Sequence, residues 1–101
     1  MKLVSFQVRT PVGTFTRIGA LHGASIVDLN MAQARRLTDQ GDTQPRRLAD
    51  AQVPATMLEF LEGGPAAMDA ARRAFDYAVG HEIAVTGPAG ETIFYDPANV
   101  R

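Results

Sequence analysis

The 101-residue chain has no cysteine. Disulfides, a thiolate nucleophile and any cysteine-ligated metal site are thereby excluded. The absence fits a reducing compartment, and the expected location is cytoplasmic. No run approaches the roughly 20 apolar residues that span a bilayer, so no membrane partner is expected. The opening Met1-Lys2-Leu3-Val4-Ser5-Phe6-Gln7 carries one positive charge with no long apolar stretch behind it, and does not read as a secretory signal. An excess of one charge is lacking too. Ten Lys and Arg stand against eleven Asp and Glu, a formal net charge of -1, so no global field would draw in nucleic acid.

What is present suits one ordinary globular domain over residues 1–101. Hydrophobic residues make up 46% and charged residues 21%, both usual for a packed soluble domain. A chain of this length buries about two-thirds of the surface it exposes when unfolded, enough for one core without staples. No internal repeat or low-complexity tract interrupts it.

Val4, Phe6 and Val8 alternate with Ser5 and Gln7, which predicts a half-buried strand over 2–9. Thr10-Pro11-Val12-Gly13 supplies turn chemistry, and a second strand follows from Phe15 to Leu21. His22-Gly23-Ala24 turns the chain into a third strand, Ser25–Leu29. Tight turns cannot join parallel strands, so the three form an antiparallel meander.

Asn30 is the expected N-cap of a helix starting at Met31, with Met31, Ala34 and Leu37 on one face and Gly41 as its stop. Residues 41–54 read as a loop with one helical turn near Arg46–Ala51. Thr56 and Glu59 have capping-box spacing ahead of a short helix to Leu61. Gly63-Gly64 ends it, and Pro65 opens another helix. There Met68, Ala71, Phe75 and Val79 form the expected buried stripe, and Gly80 closes it. Ile83 and Val85, the Gly87-Pro88-Ala89-Gly90 turn and Thr92–Tyr95 predict a final hairpin, broken at Asp96-Pro97. Strands, then helices, then strands indicate α+β: a small antiparallel sheet, rolled toward a barrel, with two to three helices inserted after the third strand.

Candidate sites are few. His22 and His81 have no Asp or Glu three or four residues on, and read as exposed turn residues, His81 beside a helix C-terminus. Asp28 and Asn30 suit capping better than cation binding. Asp39 and Asp42 lack the remaining ligands of a calcium loop. Gly63-Gly64-Pro65 precedes a helix N-terminus, but a phosphate loop would need more glycine and a nearby lysine. The pairs Arg35-Arg36, Arg46-Arg47 and Arg72-Arg73 lie among Asp39, Asp42, Asp50, Asp69 and Asp76, and read as a solvated mixed-charge face. Met57, Leu58, Phe60 and Leu61 are apolar almost all round. They serve as core or as a contact surface for a second domain or subunit.

Met1–Phe6, Arg17-Ile18-Gly19-Ala20-Leu21 and Ile26-Val27-Asp28-Leu29-Asn30 together resemble the opening of fumarylacetoacetate-hydrolase-family proteins. Val53-Pro54, Met57-Leu58, Leu61-Glu62-Gly63-Gly64 and Ala70–Ala74 resemble the helix pair of that family's N-terminal region. Tyr95-Asp96-Pro97 and Val100-Arg101 resemble the approach to its linker. The resemblance spans nearly the whole chain. It implies an N-terminal domain whose parent cleaves carbon–carbon bonds in β-diketo or oxo-acid substrates, or runs related hydrolysis. It also implies Mg²⁺, or Mn²⁺, held by a Glu-x-Glu motif in a C-terminal catalytic domain absent from this chain.

Glu59, Glu62, Glu82 and Glu91 are never two apart, so no Glu-x-Glu occurs here. No catalytic, cofactor-binding or metal-binding role is assigned to any residue. The expected partners are the catalytic domain of the same protein and further copies in a homo-oligomer. The alternative is a free-standing ligand- or peptide-binding module.

Overall fold

The computed structural model describes residues 1–81 and 86–100. Three strands open the chain: β1 (Leu3–Thr10), β2 (Gly13–His22) and β3 (Ser25–Asp28). Four helices follow: α1 (Leu29–Asp39), α2 (Pro45–Gln52), α3 (Met57–Glu62) and α4 (Gly64–Gly80). A two-residue strand, β4 (Phe94–Tyr95), then returns to β3, and a short 3₁₀ turn spans Pro97–Asn99. The sheet is antiparallel throughout, in the order β1-β2-β3-β4. The fold is α+β, as the segregated order of elements predicts.

The helices cover one face of the sheet. Ile18 and Ala20 of β2 are fully buried with Leu29, Val53, Phe60 and Ala71. Val27 of β3 packs with Met31, Leu37, Ala74 and Ala78. Residues directly opposite in an antiparallel pair share a face. Phe6, Arg17, Gly19, Asp28, Ile26 and Tyr95 are linked in this way on the other face. A flat sheet would hold β1 and β4 about 14 Å apart, three strand spacings. The rings of Phe6 and Tyr95 nevertheless meet, with centroids 5.3 Å apart, so the sheet curls inward. It stops short of a barrel, because β1 and β4 do not pair.

Gly19 makes the curl possible. A Cβ at this position would lie 2.8 Å from Phe6 Cε1, 2.6 Å from Ile26 Cγ2 and 2.8 Å from the Val27 carbonyl oxygen. No side chain other than hydrogen leaves room for the Phe6 ring over β2.

Several local expectations are corrected. The N-cap of α1 is Asp28, whose Oδ1 accepts the Met31 N–H at 3.0 Å; Asn30 lies inside the helix. Residues 45–52 form a full helix started by Pro45 at its first turn, rather than a loop with one turn. The buried stripe of α4 is Ala67, Ala71, Ala74 and Ala78; Met68, Phe75 and Val79 flank it, half-buried. Small residues let α4 lie close against α1. Thr56 is the N-cap of α3, but its hydroxyl donates to Glu59 Oε1 at 3.0 Å instead of capping a backbone N–H. The Gly87–Gly90 turn is formed, with Gly90 N–H donating to Gly87 O at 3.0 Å. The expected strand at Ile83–Val85 lies outside the described residues.

Candidate functional site

Side chains from β2, β3, α1 and α2 converge in one polar cluster at the junction of sheet and helices. Arg17 Nε donates to Asp28 Oδ2 at 2.9 Å, and Nη2 donates to Asp28 Oδ1 at 3.1 Å. The same Nη2 reaches Asn30 Oδ1 at 2.9 Å. Asn30 Nδ2 in turn donates to Asp50 Oδ1 and to the Val53 carbonyl, each at 2.9 Å. Asp28 is 1% exposed and Asn30 4%, so water plays little part. Burial of the Arg17 guanidinium works to lower its pKa, but the hydrogen bonds and charge of Asp28 outweigh this and leave it above its usual value. A guanidinium so held stays charged at every accessible pH.

The sequence places these residues as two short strings, Arg17-Ile18-Gly19 and Asp28-Leu29-Asn30. The register sets Gly19 opposite Asp28, which brings Arg17 beside the carboxylate. Both Asp28 oxygens and both Asn30 amide atoms are engaged. No buried side-chain polar atom among the described residues lacks a partner. Asp28 and Asn30 are thereby held in one orientation by the groups around them. The work of the cluster is to fasten the sheet to α1 and to the end of α2.

Beside the cluster, the curled face forms a groove of about 260 Å³. Val8, Phe15, Met31 and Tyr95 supply its apolar walls, and the pairs Arg17–Asp28 and Arg46–Glu91 its polar rim. Burial, and next the charge of Asp28, push the Tyr95 phenol above its usual range. A larger crevice of about 440 Å³ opens between α1, α2 and α4, with Arg36 and Arg73 on its lining.

The remaining candidates are dispersed. His22 ends β2, half-buried rather than exposed, with its ring edge-on to Phe75 at 6.0 Å. His81 caps α4; its ring stacks on Tyr77 at 4.4 Å, and Nδ1 lies 2.8 Å from the Tyr77 carbonyl. Asp39 is tied to Arg35 and to the Tyr77 hydroxyl, far from any calcium-loop geometry. The Tyr77 bond, and next the charge of Arg35 against slight burial, hold the Asp39 carboxyl below its usual range. Among the Arg pairs, Arg35 bonds to Asp39 and Arg46 to Glu91, whereas Arg36 and Arg73 line the same crevice.

The described residues contain no group of three or more His, Asp or Glu placed to hold a metal ion.

The α3 cluster divides in two. Phe60 is 1% exposed and belongs to the core, whereas Leu58 and Leu61 stand 70% and 60% exposed on the outer side. Sequence reasoning missed Asp50 and the Val53 carbonyl as partners of Asn30, since nothing local links positions twenty residues apart. Compared with family models, curated proteins and solved structures, the chain shows no match.

Proposed function

We propose that the chain is a non-catalytic N-terminal domain of a fumarylacetoacetate-hydrolase-like enzyme, where it covers the catalytic domain or supports oligomerisation. The observation that carries this reading is the outer face of α3. Leu58 and Leu61, one helical turn apart, hold 70% and 60% of their surface in solvent. Adjacent exposed leucines on a helix suit a contact surface better than open water. The Arg17–Asp28–Asn30 cluster fits this reading, since positions that carry the resemblance bond to one another across β2, β3 and α1. The chemistry proposed for the parent is metal-dependent hydrolysis of acylpyruvate-like or fumarylacetoacetate-like compounds.

The test is turnover. The protein isolated from its source is assayed on acylpyruvates with Mg²⁺ or Mn²⁺, before and after chelation, beside the 101-residue chain alone. The expected result is chelator-sensitive hydrolysis by the native protein and none by the short chain. Turnover by the short chain, or none by the native protein, would contradict the reading.

A further inference from the structure

The first 27 residues contain no Asp or Glu; the first acid is Asp28. Lys2, Arg9 and Arg17 are the formal charges of that segment, and Arg17 is spent on Asp28. The β1–β2 hairpin is therefore a basic arm on a chain whose acids all lie further on. It is also apolar at its surface, with Val12 84% and Phe15 48% exposed.

Among the described residues β1 is an edge strand, eight residues long, with β2 as its one neighbour in the sheet. The bond from Leu21 N–H to the Lys2 carbonyl, 3.0 Å, marks the pair 2–21 as a hydrogen-bonded one. Even-numbered residues of β1 thus bond to β2. The N–H and C=O groups of Leu3, Ser5, Gln7 and Arg9 point outward, with no pairing strand among the described residues. Two of the usual protections are missing: β1 has no proline, and its pairing with β2 runs from Leu3 to Thr10 without a bulge. Its end charges, Lys2 and Arg9, are the protection it keeps, and they disfavour a like strand rather than an acidic one.

We infer that the outer edge of β1 binds an extended acidic segment of a partner polypeptide, which adds a fifth strand to the sheet. Backbone bonds at Leu3, Ser5, Gln7 and Arg9 supply the affinity. Lys2 and Arg9, with no acid near them in sequence, select a guest bearing Asp or Glu. Opposite charges across a strand pair are favourable and like charges unfavourable. This disfavours a second copy of the chain as the occupant. Antiparallel pairing of two β1 strands would set the Lys2 end of each beside the Arg9 end of the other. The inference rests on the edge and its charge, and stands or falls separately from the hydrolase reading.

The test uses the 101-residue chain with an acetylated eight-residue valine peptide bearing Glu at both ends, which fall on opposite faces as Lys2 and Arg9 do, and with its counterpart bearing Lys there. Amide hydrogen exchange is followed residue by residue. The acidic peptide should bind at least tenfold more tightly than the basic one. It should slow exchange at Leu3, Ser5, Gln7 and Arg9, and leave Val4, Phe6 and Val8 unchanged. Arg9→Glu should weaken binding at least tenfold. Ser5→Pro should abolish it with the fold kept, because proline is tolerated where an edge N–H faces solvent. Equal binding of both peptides, or binding without the odd-residue pattern, would overturn the inference. Protection of the same amides by self-association without peptide would overturn it in favour of a second copy.

Discussion

Replacing Asp28 by Asn and by Ala separates its two jobs, charge partner of Arg17 and N-cap of α1. Asn still accepts the Met31 N–H, but it carries no charge, and its NH₂ opposes the guanidinium donors. Breaking a buried pair by removing one partner costs about 3–5 kcal/mol. Arg17 keeps 18% of its side chain in solvent and its bond to Asn30, which softens the loss. We expect about 2 kcal/mol for Asp28→Asn. Ala also leaves the Met31 N–H uncapped, a further loss of about 1 kcal/mol. The total of about 3 kcal/mol is a large share of the stability of a small domain. A domain near this size loses about 4–8 °C in Tm per kcal/mol, so the shifts are about 12 °C for Asn and about 18 °C for Ala. Urea titration followed by circular dichroism at pH 7 gives both free energies. A wild-type midpoint for Asp28→Asn would refute the charge argument. Equal losses for Asn and Ala would refute the capping argument.

Gly19→Ala drives a Cβ into Phe6, Ile26 and the Val27 backbone, and should cost about 1–3 kcal/mol, read from the same urea titration. Leu58→Ser with Leu61→Ser should leave urea stability within about 0.5 kcal/mol, since both side chains are already in solvent, while weakening any association seen by light scattering. Stability should fall at high pH. The bond to Asp39, then burial, hold Tyr77 above the usual phenol range, and burial, then the charge of Asp28, do so for Tyr95. A raised native pKa gives stability that is full below the unfolded value of about 10 and is lost as pH rises through the native values. Asp39, held low first by Tyr77, acts in the opposite direction. Its contribution is present above the unfolded value of about 4 and is lost as pH falls through the native one. Tyr77→Phe should flatten both limbs of the curve of Tm against pH.

The first three strands were legible because β1 alternates cleanly and the turns carry Pro11, Gly13 and Gly23; of the expected Thr92–Tyr95 strand only Phe94–Tyr95 forms, paired with β3. The cap was not legible. Asp28 and Asn30 are both good capping residues two positions apart, and only the approach of Arg17 and α2 decides which one caps. On α4 the larger Met68, Phe75 and Val79 have the helical spacing of a core stripe yet only flank it, because close packing on α1 selects alanine at 67, 71, 74 and 78. α2 lay hidden in a polar stretch where Ala49 alone is buried, though Pro45 marked its start. The Arg17–Asp28–Asn30 cluster was half legible. Its residues stood in the strings that carry the resemblance, but their mutual bonding needed the strand register. The outward placement of Leu58 and Leu61 follows from Phe60 taking the inward position on a six-residue helix.

The most direct test of the account is the intact mass of the native polypeptide from its source. The 101 residues amount to 10.9 kDa. One covalent chain at least twice that mass, with this sequence at its N-terminus, is expected. A native chain at the calculated mass would contradict it and leave a free-standing module whose function lies at its own surface.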